Sequence, residues 1–351
     1  MIALTKFWRV DKLIIRNKYI ETNLFNNRTM DIIVFHQNDI DDDQKAKIQT
    51  GTPDMPIKFV NVDKFFRRTQ KPALTTNNAL CPSNKMSSMT PPGYKTMCAF
   101  FAYKFREYLP KGSYEWMLRV DDDCYIRSKV KKRFPPRPLP DGSIPHVMSP
   151  NWIIDAGGPD SLRDERPGTD AGLLTHGLRR MAYEFAKEKN ITRTENARLF
   201  PSSPADMYIS KLTGNGSEFY SIYDLPHDSL YEPKKMSKVW GLVEKYKDRK
   251  VWPAPATNTF YLNLTWLYSQ PTVLSWMNRV EHSKCVFSNR WGDLPIWGST
   301  LALTNETIYR WDINVEHTSH RCVYMSRKQP LKLPNVAPCN DVHVDEIVDY
   351  F

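Results

Sequence analysis

Three adjacent carboxylates follow a short apolar run in the first half of the chain. Residues 116–120 are apolar apart from Arg119, and Asp121, Asp122 and Asp123 come directly after them. Neighbouring carboxylates repel one another, so burying them at a strand end is costly unless a cation compensates their charge. Hard divalent cations take such oxygen ligands and also bind phosphate oxygens. The triplet therefore predicts either a metal-dependent site for a nucleotide-diphosphate donor or a solvated acidic turn.

A second acidic triplet has a different context. Asp41, Asp42 and Asp43 precede the helix-forming segment Gln-Lys-Ala-Lys-Ile. Carboxylates at this position stabilise the positive end of a helix dipole. We therefore predict that this triplet caps a helix and binds no metal.

The elements that position the first triplet alternate between strand and helix. Apolar runs at 14–15, 30–35, 57–62 and 116–120 are typical of strands. Apolar residues at helical spacing over 94–108 predict a helix just before the carboxylate strand. This alternation favours an α/β sheet, and such sheets bind ligands at the carboxyl ends of their strands. Asp121 follows such an end.

The second half of the chain is less regular. Residues 146–149 and 151–154 predict a short strand, 170–189 an amphipathic helix, and 261–280 a further helical region. The buried side of the 170–189 helix should consist of four apolar residues: Leu174, Leu178, Met181 and Phe185. We interpret residues 192–255 as an insertion that covers the site. Residues 289–300 form a segment interrupted by Gly and Pro, and residues 307–315 have a strand-like pattern.

Composition narrows the classes of function. With 351 residues and 41% hydrophobic content, the chain suits one large α/β domain. Its net charge of +10 suggests an anionic partner, but no clustered basic and aromatic stripe supports nucleic-acid binding. No apolar segment approaches the roughly 20 residues of a membrane-spanning helix. We expect a cytoplasmic location if the chain is full-length, and the Golgi lumen if an N-terminal anchor has been removed.

Four segments, in order, resemble the fungal α-1,2-mannosyltransferases of glycosyltransferase family 15. Arg119-Val-Asp-Asp-Asp resembles the family segment Arg-Val-Glu-Pro-Asp. The other three are similar to the family's Tyr-x-x-Met-Cys, Arg-Trp-Gly-Asp-Ala-Pro and Asp-Ile-Gly-Tyr-Arg-His segments; they are Tyr94–Cys98, Arg290–Pro295 and Asp312–His317.

This resemblance implies a GT-A fold, a Rossmann-like mixed sheet flanked by helices. It also implies Mn²⁺ (or Mg²⁺), a GDP-mannose donor, a glycan or glycoprotein acceptor, and retention of anomeric configuration. The expected reaction is sugar transfer to a glycan hydroxyl in glycoprotein glycan synthesis. We expect one GT-A domain over 1–351, with a nucleotide-binding half (1–133), an acceptor-binding half (134–328) and a tail (329–351).

The resemblance also assigns roles to residues. The implied metal ligands are Asp121, Asp123 and His317, with His320 as the weaker alternative in the same loop. Asp293 is expected at the acceptor hydroxyl or against the oxocarbenium-like sugar. The remaining candidates are donor contacts and residues lining the sugar pocket: Arg119, Asp122, Arg290, Asn258 and Tyr261. Arg290 is either the structural partner of Asp293 or a phosphate contact.

Several positions depart from the family pattern. Ala99 stands where family members carry Arg, Phe101 where they carry a polar or tyrosyl side chain, and Phe260 where they carry a candidate catalytic Glu. A phenylalanine cannot act as nucleophile or base. The resemblance therefore predicts the fold and the metal site better than it predicts mannose specificity. Three tryptophans are expected in the core: Trp266, Trp291 and Trp297.

A different enzyme class shares part of this pattern. In haloacid-dehalogenase-like phosphohydrolases an Asp-x-Asp motif also follows an apolar strand, as Asp121 and Asp123 do here, and a later Gly-Asp pair is matched by Gly292 and Asp293. That class wants Thr or Val at the position of Tyr125 and a second aspartate after the Gly-Asp pair. Neither is present.

Overall fold

A computed structural model describes most of the sequence-predicted elements. The described residues are 1–6, 9–24, 30–69, 91–109, 111–130, 142–150, 153–155, 178–191, 253–255, 258–289, 291–306, 308–311 and 313–317. The strands are β1 (Ile2–Leu4), β2 (Ile32–His36), β3 (Ile57–Asn61), β4 (Trp116–Val120), β5 (Cys124–Ile126), β6 (Val147–Ser149), β7 (Ile153–Asp155), β8 (Pro253–Pro255), β9 (Thr259–Asn263), β10 (Ile308–Arg310) and β11 (Val315–His317). The α-helices are α1 (Val10–Asn23), α2 (Asp42–Gly51), α3 (Asp63–Thr69), α4 (Pro92–Ala99), α5 (Leu178–Glu188), α6 (Leu264–Ser269), α7 (Pro271–Ser283), α8 (Cys285–Asn289) and α9 (Asp293–Thr304).

Seven strands form one mixed sheet in the order β10-β6-β9-β4-β1-β2-β3. β4, β1, β2 and β3 are parallel neighbours, whereas β9 runs antiparallel to both β4 and β6. The carboxyl ends of β1 to β4 therefore meet at one edge of the sheet, beside the amino end of β9. Two small antiparallel pairs, β5–β11 and β7–β8, complete the described strands.

Helices cover both faces of the sheet. On one face, α3 to α9 enclose an apolar cluster that reaches Met117 of β4 and Phe260 of β9. On the other face, α1 and α2 pack on Leu118 of β4 and Tyr261 of β9. Consecutive strand residues point to opposite faces, so both faces of the central strands are buried. This is why β2 and β4 read as nearly continuous apolar runs.

Local chemistry explains several helix ends. Asp41 accepts a hydrogen bond from the Gln44 N–H, and the Gln44 side chain accepts one from the Asp41 N–H. This capping box confirms the predicted capping role of the second acidic triplet. α7 and α9 end at residues in the left-handed region, Lys284 (φ 59°) and Asn305 (φ 54°). Asparagine tolerates this conformation better than most residues.

The predicted helix over 94–108 exists, but its winding changes. α4 ends at Ala99, a π-helical turn covers Phe100–Lys104, and a 3₁₀ turn covers Phe105–Glu107. The π-helical turn buries Phe101 and aims its carbonyl at the Trp297 indole N–H, 3.2 Å away. Such turns often occur at functional sites.

Three sequence expectations need correction. The predicted strand at 14–15 is part of α1, whose buried residues Val10, Leu13, Ile14 and Ile20 recur at helical spacing; the first strand is β1. The predicted helical region from 261 begins inside strand β9 and becomes helical only at Leu264. The segment 289–300 contains most of α9, because proline is tolerated in the first turn of a helix.

Other expectations are confirmed or fall outside the described residues. Leu178, Met181 and Phe185 are buried as predicted, while Leu174 lies outside the described part. All three tryptophans expected in the core are buried. Of the predicted insertion 192–255, only β8 is described. Among the helices that the structure describes, none is long and apolar enough to cross a membrane.

Candidate active site

The carboxylate triplet forms a tight turn at the edge where β1 and β4 end. The Asp121 N–H donates to the Asn258 carbonyl just before β9, at 2.9 Å, and the Asp121 carbonyl accepts from the Cys124 N–H at 3.0 Å. Asp122 is 1% exposed and Asp123 is 7% exposed. The alternative of a solvated acidic turn is therefore wrong.

Arg119 ties Asp121 to a distant aspartate. Its guanidinium donates to both Asp121 carboxylate oxygens, at 2.8 and 3.1 Å, and to Asp293 Oδ2 at 2.5 Å. The same group lies 3.6 Å from the centre of the Phe101 ring. Asp293 is the first residue of α9, where the helix dipole stabilises a carboxylate. Two predicted site residues 172 positions apart in sequence thus share one buried cation.

A second arginine holds the other two carboxylates of the triplet. Arg9 Nη1 lies 2.5 Å from Asp122 Oδ1, and Arg9 Nη2 lies 2.8 Å from Asp123 Oδ2. The Thr5 hydroxyl donates to Asp122 Oδ2 at 3.0 Å. Sequence reasoning missed both Thr5 and Arg9, because it placed the first strand at 14–15. The available signal was a basic residue shortly after the apolar residues of β1.

Burial and mutual repulsion perturb these carboxylates. Burial, reinforced by Asp123 and Asp121, raises the pKa of Asp122 to about 7 against the opposing charge of Arg9. Burial also raises the pKa of Asp121, although Arg119 lowers it, and Asp123 and Asp293 add to the rise. Burial thus favours the neutral form of Asp121 and of Asp122 more strongly than the neighbouring arginine favours the charged form.

The pairing of β5 with β11 places the backbone of His317, a predicted metal ligand, beside the carboxylate triplet. His317 of β11 lies opposite Cys124 of β5 in an antiparallel register, and Cys124 directly follows Asp123. The His317 backbone is thus adjacent to the triplet, while its imidazole lies outside the described side chains. Glu316 is buried and paired with Arg127 at 2.9 Å, which anchors β11 at this position.

The remaining candidate residues have a backbone contact with the turn, lie in the core, or fall outside the described residues. Asn258 contributes its backbone carbonyl to the Asp121 turn. Tyr261 is wholly buried and stacks on Trp116 with ring centres 4.7 Å apart, so its prediction as a residue lining a sugar pocket is corrected to a core role. Phe260 is also in the core, against Trp297. Arg290 and His320 lie outside the described residues.

Comparison with solved structures identifies the fold. The chain is similar to the mannosyltransferase Ktr4p from S. cerevisiae, with 15% identity, a TM-score of 0.58, and coverage of 91% of this chain and 70% of that one. It is also similar to core-mannan synthase A from Aspergillus fumigatus in a Mn/GDP form, with 14% identity, a TM-score of 0.54, and coverage of 90% and 73%. The chain has a GT-A fold.

The match concerns the fold, because no protein-family model and no curated protein sequence matches this chain. It confirms the predicted α/β architecture and the structural likeness to fungal family-15 mannosyltransferases. At 14–15% identity, the likeness concerns the fold alone and assigns no role to an individual residue.

The turn offers the oxygen ligands that a divalent cation prefers. Among the described side chains, its hydrogen-bonded network contains four carboxylates, Asp121, Asp122, Asp123 and Asp293, and two guanidiniums, Arg9 and Arg119. Among the side chains that the structure describes, no group of three or more His, Cys, Asp or Glu converges to hold a metal. The carboxylates are directed at the arginines instead.

Proposed function

We propose that this chain is a cation-dependent glycosyltransferase that moves mannose from GDP-mannose to a hydroxyl of a glycan acceptor, with retention, in glycoprotein glycan synthesis. The observation that carries the proposal is the buried carboxylate turn at the carboxyl end of β4, within a GT-A fold. The Mn/GDP form of the Aspergillus relative supports the choice of cation and nucleotide for this chain.

The proposed cation ligands are Asp121, Asp123 and His317. A bound Mn²⁺ or Mg²⁺ supplies electrostatic stabilisation of the diphosphate leaving group. Its charge would also offset the carboxylate repulsion that adds to the rise which burial causes in the pKa of Asp121 and of Asp122. Imidazole and carboxylate are suitable ligands for Mn²⁺.

The protein's own residues would supply the positioning. Arg119 fixes the orientation of Asp121 by two hydrogen bonds and connects it to Asp293. Asp293 sits on the first turn of α9 and is held by this contact, which suits a carboxylate facing the acceptor hydroxyl or the developing positive charge on the sugar. We propose Asp122 and Arg290 as further groups on the donor side, and Asn258 beside them.

The phosphohydrolase alternative is not favoured by the geometry. Its nucleophile would be Asp121, but both oxygens of that carboxylate accept hydrogen bonds from Arg119. Two charge-assisted hydrogen bonds lower the charge density, and so the nucleophilicity, of this carboxylate, while each oxygen keeps a lone pair that can bind a cation. Steady release of phosphate from a simple phosphomonoester would restore this alternative.

A thermal-shift experiment tests the proposed donor and cation. GDP with Mn²⁺ should raise the melting temperature by several degrees, because a ligand bound only to the native state stabilises it by about 2.7 kcal/mol at 100 times its Kd. UDP with Mn²⁺, and GDP with EDTA, should give smaller shifts. A larger response to UDP would overturn the mannose assignment, and no response to any nucleotide would overturn the glycosyltransferase assignment.

Product analysis tests the remaining details. With GDP-mannose and a mannoside acceptor, NMR of the product should show an α-linked mannose. A β-linked product would contradict retention while leaving sugar transfer intact.

A further inference from the structure

The guanidinium of Arg119 is held both in its own plane and on one face. In the plane, its Nε and Nη2 donate to the two oxygens of Asp121, and its Nη1 donates to Asp293 Oδ2. On one face, the centre of the Phe101 ring lies 3.6 Å from the guanidinium carbon. A desolvated guanidinium is attracted to the face of an aromatic ring. The two carboxylates therefore restrain movement within the plane, and the Phe101 ring opposes a tilt out of it.

The π-helical turn explains how Phe101 contacts both Arg119 and helix α9. The Phe105 N–H donates to the Phe100 carbonyl, five residues back, whereas an α-helix would pair it with the Phe101 carbonyl. The Phe101 carbonyl accepts a hydrogen bond from the indole N–H of Trp297 at 3.2 Å. The ring of Phe101 thus contacts Arg119 while its carbonyl binds α9.

Helix α9 closes this set of contacts. Trp297 follows Asp293 by four residues, so the two side chains lie on the same side of the helix, one turn apart. Asp293 binds Arg119, and Trp297 binds the Phe101 carbonyl. All four residues are buried. Because interiors are close-packed, none of the four can shift without displacing a neighbour.

The closed set of contacts joins two carboxylates with different proposed roles. Asp121 belongs to the donor side of the proposed reaction, and Asp293 faces the acceptor hydroxyl or the developing positive charge on the sugar. Both accept hydrogen bonds from one guanidinium, so the position of Arg119 sets the distance between them. A displacement of about 1 Å among reacting groups can lower a rate by about 100-fold.

We propose that Phe101 is a positioning residue: the face of its ring holds Arg119 and thereby fixes the separation of Asp121 and Asp293 for sugar transfer. This inference rests on the proposed glycosyltransferase function and deepens it. It gives the π-helical turn, Phe100–Lys104, a role in placing the reacting groups in addition to its role in packing.

Nuclear magnetic resonance of the Arg119 Nε–H tests the contact without an activity assay. In isotope-labelled protein, this signal is assigned by its loss in Arg119→Lys. The face of an aromatic ring shields protons that lie over it, so we expect Phe101→Leu to move the signal downfield. The same proton should exchange faster with solvent in this variant, because the guanidinium gains freedom to tilt.

Steady-state kinetics with GDP-mannose and a mannoside acceptor tests the consequence for transfer. We expect Phe101→Leu to lower kcat by about 10- to 100-fold, while the KM for GDP-mannose changes by less than about twofold. Loss of packing alone would lower the melting temperature without this difference between kcat and KM. Phe101→Met provides a second variant if Phe101→Leu does not fold, because methionine fills irregular apolar space but has no aromatic face.

Phe105→Leu is the matched control for both measurements. Phe105 directly follows the π-helical turn, is wholly buried and belongs to the same apolar cluster as Phe101. Both variants remove the same ring from the core, so their melting temperatures should fall by similar amounts. The control should keep the kcat and the Arg119 Nε–H signal of the wild type.

The outcomes distinguish this inference from the proposed function. With sugar transfer by the wild type intact, three results would each overturn the positioning role: an unmoved Arg119 signal in Phe101→Leu, an unchanged kcat, or a fall in kcat that Phe105→Leu shares equally. Absence of sugar transfer by the wild type from every nucleotide sugar tested overturns the proposed function and this inference together.

Discussion

The two arginines that hold the carboxylate triplet differ in their burial, in their contacts and in the elements that carry them. Arg119 projects from a central strand into the apolar cluster on one face, where Phe101 and Asp293 fix it. Arg9 approaches from the start of α1, which packs on the opposite face. One pair is built into the core and the other lies at its margin. The comparison teaches that a single acidic turn can combine an ion pair built into the core with one at its margin.

The largest expected effect comes from the core pair. Arg119→Met keeps a similar apolar length but leaves the buried Asp293 and the half-buried Asp121 without their counter-ion. We expect a loss of about 3–5 kcal/mol in the free energy of unfolding, because removing one partner of a buried pair leaves an uncompensated charge. Urea unfolding followed by circular dichroism measures it.

The control for this prediction is Arg279→Met, which breaks the exposed pair with Glu188. Its change should be too small to resolve in the same assay, because solvent screens exposed pairs. If Arg119→Met were as mild as this control, the two arginines of the triplet would not differ as described.

The second effect concerns Asp123, in the ion pair at the margin of the core. Asp123→Asn should weaken Mn²⁺ binding by about 100-fold or more, because the loss of a ligand exceeds the 10–100-fold loss usual for outer-sphere partners. Isothermal titration with Mn²⁺ in the presence of GDP measures this change. Asp43→Asn, in the capping triplet of α2, is the matched control and should bind Mn²⁺ as the wild type does. Unchanged binding by Asp123→Asn would remove Asp123 from the proposed ligands.

A smaller effect is expected from Asp122, whose contribution to the free energy of unfolding should depend on pH. The pKa of Asp122 is raised from 3.8 to about 7, so the metal-free folded protein binds a proton that the unfolded chain has already lost. The stability linked to this proton is fully present below pH 3.8 and is lost as the pH rises through about 7.

Asp122→Asn removes this titration. The free energy of unfolding of the variant, relative to that of the wild type, should therefore rise by at least about 1 kcal/mol as the pH is raised from 4.5 to 7.5. Urea unfolding of both proteins in EDTA across this range measures the difference. A difference that stays constant with pH would show that Arg9 compensates Asp122 fully.

The smallest predicted effect tests the hydroxyl beside Arg9. Thr5→Val removes the hydrogen bond to Asp122 and should cost about 1–2 kcal/mol of stability. Thr5→Ser keeps the hydroxyl and should retain most of that stability. Thermal unfolding in EDTA compares the two variants. Equal losses would indicate that packing of the threonine methyl, and not the hydrogen bond, matters at this position.

Much of the fold could be predicted because it depends on local patterns. The apolar run before Asp121 predicts a buried strand, and Asp41 with Gln44 predicts a helix start. The errors occurred where local patterns are ambiguous. Ile14 and Ile15 resemble a strand in isolation, and only their packing within α1 against the sheet makes them helical. Tyr261 has helical neighbours in sequence but pairs with Leu118 in the sheet.

The residues of the candidate site likewise divide into those that could be predicted from the sequence and those that only the structure shows. Residue types alone predicted Asp121 and Asp123 as site residues, and the resemblance added the predictions of Asp293 and His317. Neither source could identify Arg9 as a partner of the triplet, because the Arg9–Asp123 contact joins positions 114 residues apart. The distant contacts of Arg119 with Asp293 and with the Phe101 ring were equally inaccessible.

The sequence by itself determined that a strand ends in three carboxylates within an α/β chain, because apolar periodicity and charge are properties of neighbouring residues. Only the tertiary structure decided which cation compensates each carboxylate. That choice depends on which strand ends and helix starts meet at one edge of the sheet, and on how deeply each arginine is buried there. Burial sets the strength of each ion pair, and it arises from the packing of segments far apart in the chain.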